Sequence, residues 1–504
     1  MNLDADVLIV GLGPVGAVLA GLLSQHNLSV IVVDREAAPY ALPRAATFDD
    51  EAMRVFQSLG LASELETICR VPAALEFVSA GGDVLMDFPV HDAPTISGWR
   101  KNYMLHQPNV EQALRRRLSA LGVDMRLGVR FESVSQDSGG VTTQLRGPAG
   151  PMTLRTKFLV GCDGASSLVR SAMGARLHSY DFEEPWLVID VLCDTPDLLP
   201  DRIMQICDPA RPSTYLRMSG QRYRWEFMMV DGETDQTMTD PSFIASLLAP
   251  WVDASRLHIE RAVVYRFHGL VAQNWRLDLI LIAGDAAHQM PPFAGQGMCA
   301  GIRDAQNLAW KLAAVTSGTA QPALLDSYQS EREPHIRHII ETVIAMGNII
   351  CLRDAEAAAA RDAGMLAQRA AGVQPVSMAW PDLHGGCFTA SADAGGLFPQ
   401  SFVGGAGMDD VFGSGWWLIG AALPPHVPAS IRKIPLNSST ALNFAPALRA
   451  WLVERDAPAV LVRPDRFVFG TGTPSWLLDQ WHTHVTGLNA APGRDTALIH
   501  QETT

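Results

Sequence analysis

Short all-apolar runs recur along the chain and give the first indication of its fold. They occupy residues 7–10, 30–33, 158–160 and 279–283. Continuous apolar runs of this length are typical of strands covered on both faces, as in a parallel sheet flanked by helices. Between the first two runs, residues 17–27 are apolar at helical spacing. The start of the chain therefore predicts a βαβ unit.

The middle of the chain has a different pattern, in which apolar and polar residues alternate. The alternation is clearest at 186–191 and 223–229, and it predicts an antiparallel sheet inserted between two parts of the first domain. Helical spacing then runs from about 300 to 350 and again over 355–371. Short strands with one helix between 405 and 490 predict a small α/β unit. The predicted fold class is α/β.

Composition narrows the class of protein. The 504 residues carry a net charge of −14, so we expect two or three globular domains and no nucleic-acid partner. The seven cysteines form no CxxC or Cys/His pattern, so we expect no metal site, no disulfide framework and a reducing compartment. No leader-like start and no apolar run approaching ~18 residues is present, which predicts a cytoplasmic protein without a transmembrane segment.

Residues 11–16 form the turn after the first apolar run and match the pattern GxGxxG. Gly11 permits a tight turn, Gly13 lets a pyrophosphate approach the backbone, and Gly16 lets the following helix pack closely on the strand. The start of that helix supplies unpaired N–H groups and the positive end of its dipole. Asp34 ends the next strand, where it can accept hydrogen bonds from a ribose diol. This combination predicts a dinucleotide site for FAD or NAD.

Two further motifs follow apolar runs. Asp163 opens the sequence DGASSLVR, and Gly284 opens the sequence GDAAHQMPPFAGQGM, after which a long helix is predicted. Glycines at a helix start let backbone N–H groups approach a ligand, and the helix dipole favours negative charge there. Since a reduced flavin carries negative charge on its pyrimidine ring, the third motif suits a flavin.

In this order, the three motifs resemble those of the class A flavoprotein aromatic hydroxylases, of which para-hydroxybenzoate hydroxylase is the best-known example of the fold. Within that group the sequence resembles the 3-(3-hydroxyphenyl)propionate hydroxylases in residues 43–51, 284–297, 303–312 and 462–468. The resemblance implies a Rossmann-like FAD-binding domain, an inserted mixed or antiparallel β-sheet domain for the substrate, and a small thioredoxin-like C-terminal domain. The implied boundaries are 1–70, 101–178 and 276–345 for the FAD-binding domain, 71–100 and 179–275 for the substrate domain, 346–385 for a helical linker region and 386–504 for the last domain.

The resemblance also implies which residues hold FAD. Arg44 and Gln107 would contact the diphosphate and ribityl region, and Asp285 would bind the ribityl chain. Residues 291–299 would wrap the isoalloxazine ring, although Cys299 stands where the family commonly has Asn, so a side-chain hydrogen bond would be lost. The full expected set is Gly11, Gly13, Pro14, Val15, Gly16, Asp34, Arg35, Arg44, Gln107, Asp163, Gly284, Asp285, Pro291, Gly295, Gln296, Gly297, Met298 and Cys299.

By the same resemblance, the activity is that of a single-component monooxygenase. NADH or NADPH reduces FAD, O₂ adds to the flavin as a C4a-hydroperoxide, and one oxygen atom passes to a ring carbon ortho or para to a phenolic hydroxyl. The cofactor carries the difficult chemistry, while the protein supplies position and a dry pocket. The expected partners are a small aromatic substrate and O₂, and a homodimer is the usual assembly in such families.

Other functions stay open. A non-hydroxylating FAD oxidoreductase, either a reductase or a halogenase-like enzyme, would share the fold, although the WxWxIP halogenase pattern is absent. An NAD-dependent dehydrogenase would purify without a yellow chromophore, and it leaves residues 284–298 unexplained. A non-catalytic flavin-binding protein would hold FAD without substrate-stimulated NAD(P)H oxidation.

Candidates for the substrate site lie on the middle sheet, where strand alternation gives one face an aromatic stripe, and beside the third motif. The expected substrate contacts are Tyr215, Arg217, Trp225, Phe227, Met229, Pro292 and Phe293, and the expected catalytic residues are His288 and Pro291. The alternative for the stripe is a place in the core of the sheet. For His288 it is a hydrogen-bonded structural role, and for Arg217 an exposed strand position.

Overall fold

The computed structural model describes residues 3–39, 42–89, 93–195, 198–373 and 380–487. Two eight-stranded sheets and one four-stranded sheet form the framework of this part of the chain. A short pair is also present, in which β3 (Thr47–Asp49) is antiparallel to β6 (Asn102–Met104).

The first sheet contains the strands that the all-apolar runs predicted. Its members are β1 (Ala5–Val10), β2 (Val30–Asp34), β7 (Asp124–Leu127), β8 (Arg130–Asp137), β9 (Gly140–Gly147), β10 (Gly150–Gly161), β16 (Arg276–Leu277) and β17 (Ile280–Ile282). A parallel core runs in the order β17–β10–β1–β2–β7. Val7, Leu8 and Ile9 are fully buried, which explains the absence of polar residues from these runs. The predicted βαβ unit is confirmed, with α1 (Pro14–Gln25) between β1 and β2.

The second sheet is built mainly from the alternating middle of the chain. Its strands are β4 (Ala74–Ser79), β5 (Val84–Pro89), β11 (Leu177–Cys193), β12 (Ile203–Cys207), β13 (Ser213–Arg217), β14 (Arg222–Met228), β15 (Leu257–Ala272) and β18 (His288–Gln289). They lie in the order β18–β15–β11–β14–β13–β12–β4–β5, and neighbours are antiparallel except for β12 and β4. The antiparallel sheet predicted for this region is confirmed.

Helices connect and cover these sheets. Besides α1 they are α2 (Asp50–Ser58), α3 (Ala62–Ile68), α4 (Gln107–Ala120), α5 (Leu168–Ala172), α6 (Asp235–Met238), α7 (Pro241–Leu248), α8 (Gly297–Thr316), α9 (Asp326–Ile350) and α10 (Ala355–Ala370). Short 3₁₀ turns occupy Ala254–Arg256, Gly284–Ala286, Pro292–Ala294 and Pro322–Leu325. Among the described residues no single helix is long and apolar enough to cross a membrane. The segments 322–350 and 355–370 meet that test only as a pair bent by 109°.

A small C-terminal unit carries the third sheet. Its elements are β19 (Phe402–Val403), β20 (Ala406–Gly407), α11 (Met408–Phe412), β21 (Trp416–Gly420), β22 (Ile431–Pro435), α12 (Ala445–Glu454), β23 (Ala459–Val462), β24 (Val468–Gly472), α13 (Pro474–Trp481) and a π-helical turn, His482–Thr486. The sheet order is β22–β21–β23–β24, with β21 parallel to β22 and the other pairs antiparallel. Residues 374–379 of the expected linker region and 488–504 of the expected last domain lie outside the described residues.

A buried ion cluster joins this unit to α8 and α9. Glu331 on α9 pairs with Arg463 and with Lys311 on α8, each at 2.8 Å, and Asp465 pairs with Arg463 at 2.5 Å. None of these four side chains has exposed surface. Burial raises the pKa of Glu331, but attraction to Arg463 and Lys311 outweighs burial and holds the pKa below its usual range. Such a cluster is stable only while each buried charge keeps its partners.

Replacing Glu331 by Gln should lower the free energy of unfolding by about 3–5 kcal/mol, because two cations would stay buried with less compensating charge. Chemical unfolding followed by circular dichroism measures the change. Glu454→Gln is the matched control, since Glu454 pairs with Arg455 at 2.9 Å with 74 % of its side chain exposed, and it should change stability by less than about 1 kcal/mol. Equal effects of the two substitutions would contradict the role assigned to the cluster.

Candidate active site

The carboxyl ends of the parallel strands meet one face of the second sheet around a cavity of about 1130 Å³. The cavity is lined by residues that directly follow β1, β10 and β17, namely Gly13, Pro14, Val15, Cys162, Gly164, Ala165, Ala283 and Asp285. Ligands of open α/β sheets bind in this position, outside the carboxyl ends of the strands. Because all three sequence motifs reach it, this cavity is the candidate active site.

Close backbone approach shapes the GxGxxG turn. Gly11 has φ +105°, and a Cβ there would lie 2.3 Å from the Cys162 carbonyl oxygen. A Cβ at Gly16 would lie 2.0 Å from the Gly11 carbonyl oxygen, whereas one at Gly13 would meet no atom within 4 Å. Helix α1 begins after Gly13 without a side-chain cap, so its first N–H groups stay available to a ligand. Pro14 and Val15 line the cavity beside them.

Asp34 ends β2 beside this turn. Its carboxylate accepts the Leu12 N–H at 2.6 Å and the Glu36 N–H at 2.8 Å, which fixes its position. Since each carboxylate oxygen can accept more than one hydrogen bond, Asp34 keeps capacity for a ribose hydroxyl. The Arg35 side chain is 63 % exposed and pairs with Glu36 at 3.3 Å, so the structure does not bring Arg35 to the cavity.

Gln107 begins α4 and holds the loop that carries Arg44. Its side-chain oxygen accepts the N–H groups of Arg44 and Ala45 at 3.0 and 2.6 Å, and its amide nitrogen donates to Glu111 at 2.7 Å. Gln107 and Arg44 both line the cavity. Besides the cofactor contact expected for it, Gln107 therefore positions the backbone of this loop.

The third motif contributes its glycines and its helix start to the cavity. Gly295 has φ +65°, and a Cβ there would lie 2.3 Å from Thr47 Cγ2, so only glycine fits. Helix α8 begins two residues later without a side-chain cap, which leaves N–H groups and the positive dipole end for a ligand. The motif residues that line the cavity include Pro292, Phe293, Gly295, Gln296, Gly297 and Met298.

Three other residues of the third motif differ in their placement. Asp285 lines the cavity and is exposed to it, and desolvation by the surrounding protein raises the pKa of its carboxyl. Pro291 and Cys299 are buried and do not line it. The Cys299 thiol lies 3.9 Å from the Gly295 carbonyl oxygen, and burial raises its pKa. The structure therefore places the Cys299 departure from the family pattern behind the cavity wall.

The aromatic stripe expected to contact substrate lies on the opposite face of the second sheet. A core beneath α7 contains Tyr215, Trp225 and Phe227, with Met229 packed against it. Arg217 pairs with Asp201 at 3.5 Å and does not line the cavity. The side chains alternate between the two faces of the sheet as predicted, but those facing the cavity are the neighbours of the predicted ones. A shift of one residue along a strand turns every side chain to the opposite face. This corrects the expected substrate set, of which only Pro292 and Phe293 line the cavity.

The face of the sheet that lines the cavity is half apolar and half polar. Its apolar side chains include Leu75, Val188, Ile203, Leu216 and Phe267, and its polar ones include Gln205, Thr214, Arg224 and Glu226. Arg224 donates from Nε to Asp190 at 2.6 Å and from its terminal nitrogens to the carbonyl oxygens of Pro43 and Arg44, each at 2.8 Å. Sequence reasoning missed these residues, although the polar positions of the same alternation contain Thr214, Arg224 and Glu226.

Comparison with known proteins identifies the family. The FAD binding domain family matches residues 4–343. The chain is 37 % identical over 495 residues to a probable NADH-specific resorcinol 4-hydroxylase of Rhodococcus jostii (strain RHA1), which covers 92 % of this chain and 91 % of that protein. It is 33 % identical over 486 residues to a 3-(3-hydroxy-phenyl)propionate/3-hydroxycinnamic acid hydroxylase of Mycolicibacterium smegmatis, over 92 % and 85 % of the two chains. The chain belongs to the FAD-dependent aromatic hydroxylases.

Solved structures share the mixed α/β fold of this hydroxylase. Aklavinone-11 hydroxylase, solved with FAD and aklavinone, aligns with a TM-score of 0.77 at 22 % identity, over 97 % of this chain and 100 % of that one. The flavin-dependent monooxygenase PieE aligns with a TM-score of 0.77 at 21 % identity, over 96 % and 98 %. The recognition of an FAD-dependent, NAD(P)H-using aromatic monooxygenase from its motifs is confirmed.

The residues of the hydroxylase cavity fit FAD. Two helices, α1 and α8, begin at the cavity without side-chain caps, and such helix starts bind anionic groups. Open space at Gly13 allows close approach to the backbone. The start of α1 would hold the diphosphate and the start of α8 the isoalloxazine edge. Asp34, which does not line the cavity, would hold the adenosine ribose beside the GxGxxG turn.

In the hydroxylase, His288 of the third motif is buried away from the cavity. Its Nε2 lies 2.6 Å from Asp304, its ring packs on Trp275, and only 1 % of it is exposed. Asp304 also accepts the Gly284 N–H at 3.1 Å and pairs with Arg332 at 2.9 Å. His288 does not line the cavity, so its placement favours the structural alternative over the expected catalytic role.

Asp163 and Arg170 connect the second motif to the third. The Asp163 carboxylate accepts two N–H groups at the start of α5, at 2.7 and 3.1 Å, and Asp163 does not line the cavity. Arg170 donates to the carbonyl oxygens of Ala165 and Ala286 at 2.7 and 3.0 Å. Both residues therefore position the turns that reach the cavity.

Gly295→Ala should weaken FAD binding by about tenfold or more, because a non-glycine residue at positive φ costs 1–2 kcal/mol and the new Cβ would collide with Thr47. Fluorescence titration of the apoprotein with FAD measures the affinity. Gly318→Ala is the control, since Gly318 has φ +72° just past the far end of α8 with open space around it. Adding Thr47→Ser to Gly295→Ala should recover part of the loss. Wild-type FAD affinity in Gly295→Ala would contradict the proposal that the turn before α8 holds FAD.

Proposed function

We propose that the hydroxylase acts on a small phenol whose ring lies against the cavity face of the second sheet. The observation that carries this proposal is the division of that face, where Leu75, Ile203 and Leu216 stand beside the buried polar side chains of Arg224 and Glu226. An apolar surface accommodates the ring, and a few fixed polar groups orient its hydroxyl.

Among phenols, we propose a dihydroxybenzene such as resorcinol, hydroxylated ortho or para to a hydroxyl. The Rhodococcus jostii relative named for resorcinol shares 37 % identity over most of both chains. Arg224 and Arg261 on the cavity face both pair with Asp190, at 2.6 and 2.5 Å, and Glu226 lies 3.7 Å from Arg224. Two cations therefore face two carboxylates, and this cluster does not favour a carboxylate-bearing substrate. By the same relationship we propose NADH as the preferred reductant.

The contribution of the protein to this reaction is position, electrostatics and exclusion of water. Bound FAD supplies the redox chemistry, in which a hydride from the nicotinamide and O₂ lead to transfer of one oxygen atom. The start of α8 would stabilise negative charge on a bound flavin edge through its N–H groups and dipole. The apolar half of the sheet face keeps water from the ring. Gln205 contacts the Phe293 carbonyl oxygen at 3.5 Å and ties the sheet to the third motif.

We propose the domain organisation that the resemblance implies. Pairing of β4 with β12 supports the assignment of residues 71–100 to the substrate domain, and the insertion of this sheet between strands of the first sheet supports a fold like that of para-hydroxybenzoate hydroxylase. The order β22–β21–β23–β24, with its first pair parallel, supports a thioredoxin-like C-terminal domain. Burial raises the pKa of Cys387 in this unit to about 12, so no redox role is proposed for it.

We also propose that the hydroxylase works as a homodimer in the cytoplasm. All seven cysteines are free, which suits a reducing compartment. The dimer rests on the family resemblance, and light scattering of the purified protein measures it.

Resorcinol should strongly stimulate NADH oxidation by the FAD-loaded protein in air and yield a product heavier by one oxygen atom. Mass spectrometry with isotopically labelled O₂ shows whether that atom comes from O₂. The matched control compound is 1,3-dimethoxybenzene, which keeps the ring but lacks a free hydroxyl and should not stimulate oxidation. The same assay is run with 3-(3-hydroxyphenyl)propionate in place of resorcinol and with NADPH in place of NADH.

Three results would contradict the proposed function. Turnover without O₂ would indicate a reductase, and a product that requires halide would indicate a halogenase-like enzyme. Equal rates of NADH oxidation with and without every phenol would indicate a flavoprotein with another substrate.

A further inference from the structure

Glu226 is a buried carboxyl on the cavity face of the second sheet. It lies on β14 opposite Val188 on one neighbouring strand and Thr214 on the other, and all three residues line the cavity. Only 8 % of Glu226 is exposed. No hydrogen bond to its carboxylate comes from the described residues, and its ion contact is with Arg224 at 3.7 Å.

The cations around Glu226 are already engaged elsewhere. Arg224 donates to Asp190 and to two backbone carbonyl oxygens, and Arg261 pairs with Asp190 at 2.5 Å and donates to the Tyr265 hydroxyl at 2.9 Å. These arginines balance the charge of Glu226 without using its lone pairs. A buried carboxylate that accepts no hydrogen bond is costly, so a donor inside the cavity would complete its environment.

The register of the sheet relates Glu226 to the third motif. One row across the strands contains Glu226, Thr214 and Gln205, and the Gln205 amide contacts the Phe293 carbonyl oxygen at 3.5 Å. Since neighbouring strands lie about 4.8 Å apart, Glu226 is about 10 Å along the sheet from the residue that touches this motif. The next row presents the apolar Leu216 diagonally to Glu226, about 7–8 Å away. A phenol ring on Leu216 can therefore direct its hydroxyl toward Glu226.

We propose that Glu226 accepts a hydrogen bond from the substrate hydroxyl and takes its proton as the ring is attacked. The O–H bond breaks, its electron pair stays on the oxygen and enriches the ortho and para carbons, and the proton passes to the carboxylate. When the attacked carbon loses its hydrogen as a proton to solvent, Glu226 returns its proton to the oxygen. The ring is then aromatic again and the carboxylate is restored. This inference rests on the proposed function, since it requires a phenol in the cavity.

Asp50 is another of the acidic side chains that line the cavity, and its contacts argue against the same role. Its carboxylate accepts hydrogen bonds from the hydroxyls of Thr95 and Ser97, at 2.5 and 2.6 Å. Asp50 thus has partners within the protein, whereas Glu226 has its lone pairs available to substrate.

A base must be ionised to accept the proton, so kcat/KM should fall as the pH falls through the pKa of Glu226. Burial raises that pKa, Arg224 lowers it, Asp190 raises it and Arg261 lowers it, with a net shift upward. Tyr265 on β15 also belongs to this cluster, through its contacts with Arg261. We therefore expect the acid limb of the pH profile above the usual range of a glutamate.

Glu226→Gln keeps the shape of the side chain but removes its basicity. It should lower kcat with resorcinol by about 10²–10⁴-fold, abolish the acid limb, and leave FAD content and resorcinol affinity near wild type. Resorcinol affinity is measured from the change in flavin absorbance. Glu226→Asp should recover part of the rate and an acid limb. Glu76→Gln is the matched control, because Glu76 lies on the same sheet, pairs with Arg202 at 2.8 Å and does not line the cavity.

Wild-type kcat and an unchanged acid limb in Glu226→Gln would overturn the proposal. Lost FAD or lost thermal stability, with a normal rate per bound FAD, would assign Glu226 a structural role beside Arg224 and would also overturn it. If Glu226→Gln does not fold, Glu226→Asp decides, since an unchanged rate and pH profile in that variant contradicts a base at this position. A wild-type protein that hydroxylates no phenol would instead contradict the proposed function.

Discussion

The buried guanidinium of Arg224 joins the two walls of the active site. It binds Asp190 within the second sheet and the carbonyl oxygens of Pro43 and Arg44 in the loop before β3. The cavity exists only where these two separately built parts meet, so the placement of any ligand relative to the sheet depends on this contact. Loss of the arginine charge would leave Asp190 with Arg261 alone, and breaking a buried pair in this way is strongly destabilising.

Buried charged residues outside the cavity also hold the rest of the site in position. Asp304 holds His288, Arg332 and the Gly284 N–H together beneath the third motif. Arg170 joins the second motif to the third through two backbone carbonyl groups. On the side of the three motifs, the cavity lining includes small residues such as Gly13, Ala165 and Gly295, and buried charge networks hold these turns in position.

Local constraints made much of this predictable from the sequence. The strand β1, the helix α1 and the strand β2 follow from apolar patterning and from glycines whose neighbours leave no room for a Cβ. Which face of β13 and β14 lines the cavity could not be predicted, because alternation alone leaves both faces possible. The face with Tyr215 and Trp225 is covered by α7, which lies later in the chain. The role of His288 could not be predicted either, since it depends on Asp304 from the next helix. Glu226 shares a strand with the residues expected to contact substrate, yet only the three-dimensional arrangement turns it to the cavity.

We expect a phenol to bind between the apolar half of the second sheet and the FAD site, with its hydroxyl toward Glu226. A crystal structure of the FAD-loaded hydroxylase with resorcinol bound tests it most directly. We expect the ring to lie against Leu216 and Ile203, with a hydroxyl within hydrogen-bonding distance of the Glu226 carboxylate. A ring bound on the Tyr215 and Trp225 face, or a hydroxyl turned away from Glu226, would contradict it.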